Sequence, residues 1–283
     1  MTATSVLPTM DVSAYPINAN KGNHQMVNKT ILVTGAGSGF GREVSLALAA
    51  RGHKVIAGVQ LTPQVTQLLE AAKQRGVTLQ VEKLDILDRR DREFAWKWDI
   101  DVLFNNAGIA EAGTVAEMPI DVLRSQFETN VFSTVALTQG FIKQMVGRKS
   151  GKIVFVSSVA GLLTGAFTGA YCASKHALEA IAESLHMELA DFGVKVATIN
   201  PGPYLTGFND RMMESFRVWY DPKVNFIDHR KLKFPFEQFD PQEMVDKMVS
   251  VIEEENGLFR NLLPESFIEV VKNDQRDGWK RKQ

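Results

Sequence analysis

The chain is almost without cysteine: Cys172 is the only one among 283 residues. No disulfide can form within the chain, which is typical of a reducing compartment, and we expect a cytoplasmic protein. Neither sign of charge is in excess, since 32 Lys and Arg against 33 Asp and Glu leave a net charge of −1. That balance gives no field to attract nucleic acid. No apolar run approaches the roughly 18 residues that a membrane span needs, so no span is expected.

Two kinds of reaction centre are also missing from the sequence. The five histidines (His24, His53, His176, His186 and His229) show no metal-ligand spacing, so we expect no metal site. The G-x-S-x-G turn that exposes a nucleophilic serine in many hydrolases is absent too, which argues against that class.

What is present is an alternation of short β-rich runs and longer helical patterns that begins near Thr30. Such an alternation predicts right-handed βαβ units on a parallel sheet. We expect an α/β, doubly wound Rossmann fold: a mainly parallel sheet of about seven strands with helices on both faces. Residues 1–28 read as a disordered arm and 29–283 as a single catalytic domain. Within that domain, residues 206–236 interrupt the alternation of strand and helix patterns and are rich in Phe, Met, Trp and charged residues. We expect a substrate lobe there.

A glycine-rich loop, Thr34-Gly35-Ala36-Gly37-Ser38-Gly39-Phe40-Gly41, separates the first predicted strand from the first helix. Glycines let a backbone approach a ligand closely, and a helix N-terminus favours a pyrophosphate. The loop therefore predicts a dinucleotide site. The second strand ends at Val59 and Gln60, neither an acid that would select NAD nor an arginine that would select NADP, so both cofactors remain open.

Tyr171 and Lys175 stand four residues apart at the start of a long amphipathic pattern. On a helix they share one face. A lysine beside a phenol is expected to lower the phenol pKa, which suits the Tyr for proton exchange with an alcohol or a carbonyl. Ser158 ends the fifth predicted strand, at the edge where parallel sheets bind ligands.

Together these motifs resemble the short-chain dehydrogenase/reductase family over residues 28–206. The motifs are the glycine loop, Asn105-Asn106-Ala107-Gly108, Asn130, Ser158, Tyr171-x-x-x-Lys175 and Asn200-Pro201-Gly202. Within the family, the chain is most similar to the retinol and hydroxysteroid dehydrogenases.

The resemblance implies a role for each matching residue. Tyr171 would be the general acid/base, Lys175 would lower its pKa and hold the nicotinamide ribose, and Ser158 would orient the reacting oxygen. Asn130 would kink its helix and hold a water in a proton relay. The cofactor contacts would be Gly35, Ser38, Gly39, Phe40, Gln60, Asp85, Ile86, Asn106, Ala107, Gly108, Tyr171, Lys175, Pro201, Gly202 and Thr206.

The expected activity is hydride transfer between NAD or NADP and an alcohol or carbonyl substrate. An apolar, medium to large molecule is expected: steroid-, retinoid- or aliphatic-like. The alternative is a dinucleotide-sensing regulator of the same fold that binds cofactor without turnover. The resemblance also implies a homodimer or homotetramer, formed through the long helices that start near Pro119 and Tyr171.

Overall fold

The computed structural model describes residues 28–282, so the arm predicted for residues 1–28 lies outside the described residues except for Asn28. Seven strands in that range form one sheet in the order β3-β2-β1-β4-β5-β6-β7, and every neighbouring pair is parallel. The strands are β1 (Thr30–Thr34), β2 (Lys54–Val59), β3 (Gln80–Lys83), β4 (Val102–Asn105), β5 (Gly151–Val156), β6 (Val194–Pro201) and β7 (Arg260–Leu263). The predicted doubly wound fold is confirmed.

Helices fill the connections between the strands. They are α1 (Gly39–Ala50), α2 (Thr62–Gln74), α3 (Arg89–Ala95), α4 (Ile120–Phe127), α5 (Thr134–Arg148), α6 (Gly169–Leu189), α7 (Phe208–Ser215), α8 (Gln242–Glu253) and α9 (Ser266–Gly278). A π-helical turn, Glu128–Ser133, joins α4 to α5, and short 3₁₀ turns lie at Val159–Gly161, Ala190–Phe192, Phe216–Val218 and His229–Lys231. None of these helices is both long and apolar enough to cross a membrane.

The core lies on both faces of the sheet because successive side chains of a strand point to opposite faces. In β1, Ile31 and Val33 belong to one apolar cluster, together with Met244 and Met248 of α8. Leu32 belongs to the other cluster, whose members include Phe141 and Leu178. Covered on both faces, the sheet leaves its carboxyl edge free to bind a ligand.

The strand order reverses between β1 and β4, since the chain winds outward from β1 to β3 and then returns to the other side. Connections diverge at such a point and leave a crevice beyond the strand ends. The glycine loop follows β1 and the Asn106 segment follows β4, so both open onto that crevice.

Candidate active site

A large cavity of about 1170 Å³ occupies the carboxyl edge of the sheet. Every residue that the sequence predicted to contact the cofactor lines this cavity, and so does Ser158. Asn130 does not line it and is buried beneath its wall. The structure thus brings together residues from the ends of six strands, β1 to β6, and from the loops that follow them.

The glycine loop is shaped by contacts that only glycine permits. Gly35 has φ +65°, and a Cβ there would lie 2.8 Å from the Cα of Ala107. A Cβ on Gly41 would lie 2.4 Å from the carbonyl oxygen of Gly35. A Cβ on Gly39, by contrast, would make only an ordinary van der Waals contact, 3.7 Å from the Cβ of Thr206.

This loop fits the pyrophosphate of a dinucleotide. The Ser38 side chain makes no capping hydrogen bond to α1, and the first backbone N–H groups of a helix have no partner within it. Ser38, Gly39 and Phe40 line the cavity, so those donors and the positive end of the helix dipole are available to an anion. Thr206 stands opposite, as a lining residue that would close over the ligand.

Asn106 fastens the two loops of the crevice to each other. Its side-chain amide donates to the carbonyl oxygens of Thr34 (2.9 Å) and Gly35 (3.2 Å). The Thr34 hydroxyl in return accepts from the backbone N–H groups of Asn106 and Ala107, each at 3.0 Å. The floor of the crevice is therefore rigid before any ligand arrives.

The far end of the cavity contains Gln60, Asp85 and Ile86. One Asp85 carboxylate oxygen accepts from the backbone N–H of Leu87 (3.0 Å), and the other lies 3.5 Å from the Gln60 amide. Sequence reasoning missed Gln64, which also lines this end and packs against Gly37. Its position in the first turn of α2, directly after β2, was the available signal.

Tyr171, Lys175 and Ser158 lie in one wall of the cavity. Tyr171 is 8% exposed and Lys175 is 5% exposed, and their helix α6 packs against the 3₁₀ turn Val159–Gly161 that follows β5. The Lys175 Nζ lies 5.8 Å from the centre of the Tyr171 ring and donates to the Val156 carbonyl at 2.8 Å. The expected one-face arrangement of this pair is present.

The pKa of Tyr171 shifts in the direction opposite to the prediction. Burial raises the pKa of the phenol to about 12, against the opposing effect of its hydrogen bond with Ser158. Burial also lowers the pKa of Lys175 to about 8, although the charge of Glu179 works the other way. The prediction took account of the lysine charge but not of desolvation, which disfavours the charged form of both groups.

Asn130 lies in the π-helical turn between α4 and α5, so the predicted irregularity of its helix is present. Its amide nitrogen donates to the Ile109 carbonyl (2.9 Å) and to the Ser174 hydroxyl (3.1 Å). Its amide oxygen accepts from the Ile109 backbone N–H at 2.9 Å. Asn130 therefore joins α6 to the loop after β4.

The lobe contributes apolar side chains to the substrate side of the cavity. Phe208, Met212 and Met213 of the lobe line it, and the Phe208 ring lies 5.9 Å from that of Tyr171. Other aromatic residues of the lobe instead pack around His229, among them Phe216 and Trp219.

Sequence reasoning missed two further parts of the wall. The loop from Leu163 to Thr168 lines the cavity, as do Phe267, Val270 and Asp274 of α9. No sequence motif marks either segment.

Comparisons with known proteins agree with this geometry. The family model of the short chain dehydrogenases matches residues 29–215. An uncharacterized oxidoreductase of Bacillus subtilis, YusZ, is 35% identical over 234 residues, which cover 78% of this chain and 83% of that protein. Human retinol dehydrogenase 8 is 32% identical over 244 residues, covering 79% of this chain and 78% of that protein.

Among solved structures, an actinorhodin polyketide ketoreductase variant in complex with NADPH superposes with a TM-score of 0.71. It is 25% identical, and the match covers 83% of this chain and 95% of that one. The family model, the relatives and the shared sheet lead to one conclusion: the chain belongs to the short-chain dehydrogenase family of NAD(P)-dependent oxidoreductases.

Proposed function

We propose that this protein interconverts an alcohol and its carbonyl compound, with an apolar, medium to large substrate. The observation that supports this best is the placement of Tyr171, Ser158 and Lys175 in one wall of a cavity that also contains the glycine loop. When bound, the nicotinamide supplies or takes the hydride. The protein's own residues orient the substrate and move the proton.

The phenolic oxygen of Tyr171 is the proposed site of proton exchange. With its pKa raised to about 12 the group is a protonated phenol at neutral pH, so it donates its proton to a carbonyl oxygen in the direction of reduction. Ser158, a hydrogen-bond partner of that phenol, holds the same substrate oxygen. The Lys175 ammonium, one helical turn away, stabilises negative charge that develops on the Tyr171 oxygen.

The other proposed roles concern cofactor binding. Ser38, Gly39 and Phe40 hold the pyrophosphate, Gln60, Asp85 and Ile86 hold the adenosine end, and Pro201, Gly202 and Thr206 cover the nicotinamide. The remaining proposed contacts are Gly35, Asn106, Ala107, Gly108, Tyr171 and Lys175. Asn130 supports the proton path from behind α6.

The proposal of an apolar substrate is supported by the lobe. Phe208, Met212 and Met213 offer adaptable apolar surface beside Tyr171. The similarity to a human retinol dehydrogenase supports the same class. We further propose that 29–283 acts as one catalytic domain in the cytoplasm, with 206–236 as its substrate lobe.

Self-association is also part of the proposal, as a homodimer or homotetramer. Ile120 of α4 is 56% exposed, Phe132 is 59% exposed and Met187 of α6 is 64% exposed. Exposed apolar side chains of this size on neighbouring helices support an interface between copies of the chain.

The first experiment is a fluorescence titration with NADH and NADPH in parallel, which measures both affinities. The preferred dinucleotide is then tested with a panel of steroid, retinoid and aliphatic alcohols and ketones. Turnover of an apolar member supports the proposal. Binding of a dinucleotide without turnover of any panel member would favour the regulator instead, and binding of neither would refute both.

Tyr171→Phe is the matching test of mechanism. We expect the variant to fold and to bind the dinucleotide like the wild type, while kcat falls by about a thousandfold or more, since proton donation is lost. Tyr220→Phe is the control, because its hydroxyl bonds to Asp228 at 3.3 Å and its side chain lies outside the residues that line the cavity. Wild-type turnover in Tyr171→Phe would contradict the assignment of the proton donor.

A further inference from the structure

A buried carboxylate lies behind the cavity wall, outside the lining residues. Glu179 stands one helical turn after Lys175 on α6, and its side chain is 6% exposed. It forms an ion pair with Arg260, the first residue of β7, at 3.0 Å from Oε2 to Nη2. A carboxylate this far from water requires several donors.

All the close partners of this carboxylate donate to it. Oε1 accepts from the Asn200 amide at 2.6 Å. Oε2 accepts from the Arg260 Nε at 3.2 Å and from the Thr198 hydroxyl at 3.4 Å. The carboxylate thereby joins α6 to the adjacent strands β6 and β7, through residues 21 and 81 positions further along the chain.

The contact with Asn200 extends to the site. The same Nδ2 of Asn200 donates to the backbone carbonyl of Ser158 at 3.1 Å. An amide nitrogen has two hydrogens, and here Glu179 and Ser158 take one each. A flipped amide would set its oxygen against two acceptors, so the charge of Glu179 selects the orientation that holds Ser158.

The side chain of Ser158 makes a second contact that holds this residue in place. Its hydroxyl lies 3.4 Å from the backbone carbonyl oxygen of Pro201. Pro201 directly follows Asn200 in the chain. The end of β5 and the end of β6 are thus tied at two points around Ser158, and one of those points depends on Glu179.

We infer that Glu179, anchored by Arg260, is a positioning residue that sets Ser158 opposite Tyr171 through the amide of Asn200. This inference rests on the proposed function, since it assigns Glu179 to the geometry of the proton-transfer step. The competing interpretation is that the network only ties α6, β6 and β7 together and affects stability alone.

Glu179→Gln separates the two interpretations, with Glu183→Gln as a matched control. Glu183 lies on the same helix, 3.9 Å from Arg260, but 59% exposed. We expect Glu179→Gln to lower kcat by about tenfold to a hundredfold, as small displacements of reacting groups do. Substrate KM should stay within about threefold and dinucleotide affinity within about twofold, and Glu183→Gln should match the wild type throughout.

Thermal unfolding is recorded for both variants so that activity is compared well below the unfolding temperature. A lower unfolding temperature with unchanged kcat would overturn the inference, because the network would then be structural only. Should Glu179→Gln fail to fold, Arg260→Met replaces it: that side chain is 40% exposed, so its loss releases the carboxylate with less disturbance. A smaller but clear fall in kcat is expected there, and an unchanged kcat would again overturn the inference.

A readout without substrate keeps this test independent of the proposed function. In chain labelled with ¹³C at tyrosine Cζ, the Tyr171 signal is assigned by its disappearance in Tyr171→Phe. We expect Glu179→Gln to shift that signal, since the hydrogen bond between Ser158 and Tyr171 is disturbed, and Glu183→Gln to leave it in place. If the wild type turned over no substrate, the proposed function would fail, and an unmoved signal would separately refute the positioning role.

Discussion

At the scale of single residues, the protonation states in the site depend on burial, which disfavours the charged form of a side chain. Tyr171 and Lys175 are adjacent on α6, yet each has a pKa displaced toward its neutral form. Burial therefore keeps the Tyr171 phenol protonated at neutral pH, next to a lysine amine with a pKa of about 8.

The pH profile of carbonyl reduction follows from these two shifts. An amine is charged below its pKa, so the Lys175 ammonium is present below about pH 8 and is lost above it. Tyr171 stays protonated throughout pH 6–10. We expect kcat/KM to be level below pH 8 and to fall above it.

Lys175→Arg tests the origin of that fall. A guanidinium stays charged across the whole range, so the variant should show a lower plateau with no decline up to pH 10. A decline at the same pH in both proteins would assign it to another group.

Gly35 offers a test of the cofactor loop. Its φ is +65°, and a Cβ there would lie 2.8 Å from the backbone of Ala107. Gly76 has nearly the same φ, +68°, with nothing within 4 Å of such a Cβ. The pair separates steric conflict from backbone strain, which is about 1–2 kcal/mol for either alanine.

We expect Gly35→Ala to weaken dinucleotide binding by more than about tenfold, and Gly76→Ala to lose stability while keeping wild-type affinity. Fluorescence titration and thermal unfolding measure the two effects. Equal affinities in the two variants would show that the loop does not contact the dinucleotide.

At the scale of elements, the lobe is held by hydrogen bonds with the segment after β4. The Glu117 carboxylate accepts from the backbone N–H groups of Phe226 (2.6 Å) and Ile227 (3.1 Å). His229 is fully buried, and its Nε2 accepts from the Thr114 N–H at 3.0 Å while Nδ1 donates to the Ile227 carbonyl at 2.8 Å. Aromatic rings of the lobe surround this imidazole, so the lobe is fixed at a defined position over the cavity.

His229→Ala should loosen the lobe, because it removes a buried ring and leaves the Thr114 N–H unpaired. We expect the substrate KM to rise by about tenfold, with a smaller change in dinucleotide affinity, since Thr206 alone among the proposed cofactor contacts belongs to the lobe. Arg217→Ala serves as the control: its side chain is 68% exposed and pairs with Glu214, three residues before it. An unchanged KM in His229→Ala would mean that the lobe does not shape the substrate site.

At the scale of the whole molecule, the exposed apolar surface of α4 and of the turn after it is the surface through which we expect copies of the chain to associate. Phe127 and Phe132 lie with ring centres 6.4 Å apart, next to Ile120 and Leu123, around a shallow depression. We expect light scattering to give the mass of a dimer or tetramer, and Phe132→Glu to shift it toward the monomer. Val218→Glu, at a lobe position 92% exposed, should leave the mass unchanged. A wild-type monomer would refute the proposed interface.

The sequence by itself determined much of this protein, and the reason is local geometry. Strands and helices alternate because the periods of their apolar residues differ, and a run of glycines before a helix has few uses other than a close backbone approach. Tyr171 and Lys175 share a face because a helix has 3.6 residues per turn. None of this depends on residues far along the chain.

Tertiary structure decided the rest. The raised pKa of Tyr171 follows mainly from burial, which depends on everything packed around α6. The same holds for α9 in the cavity wall and for Arg260 beside Glu179, 81 positions apart. Motif spacing predicted which residues meet within one helix or one loop, because their relative positions there follow from their separation along the chain. The charge states of buried side chains, and the contacts that hold the site residues in place, depend on distances that only the folded chain creates.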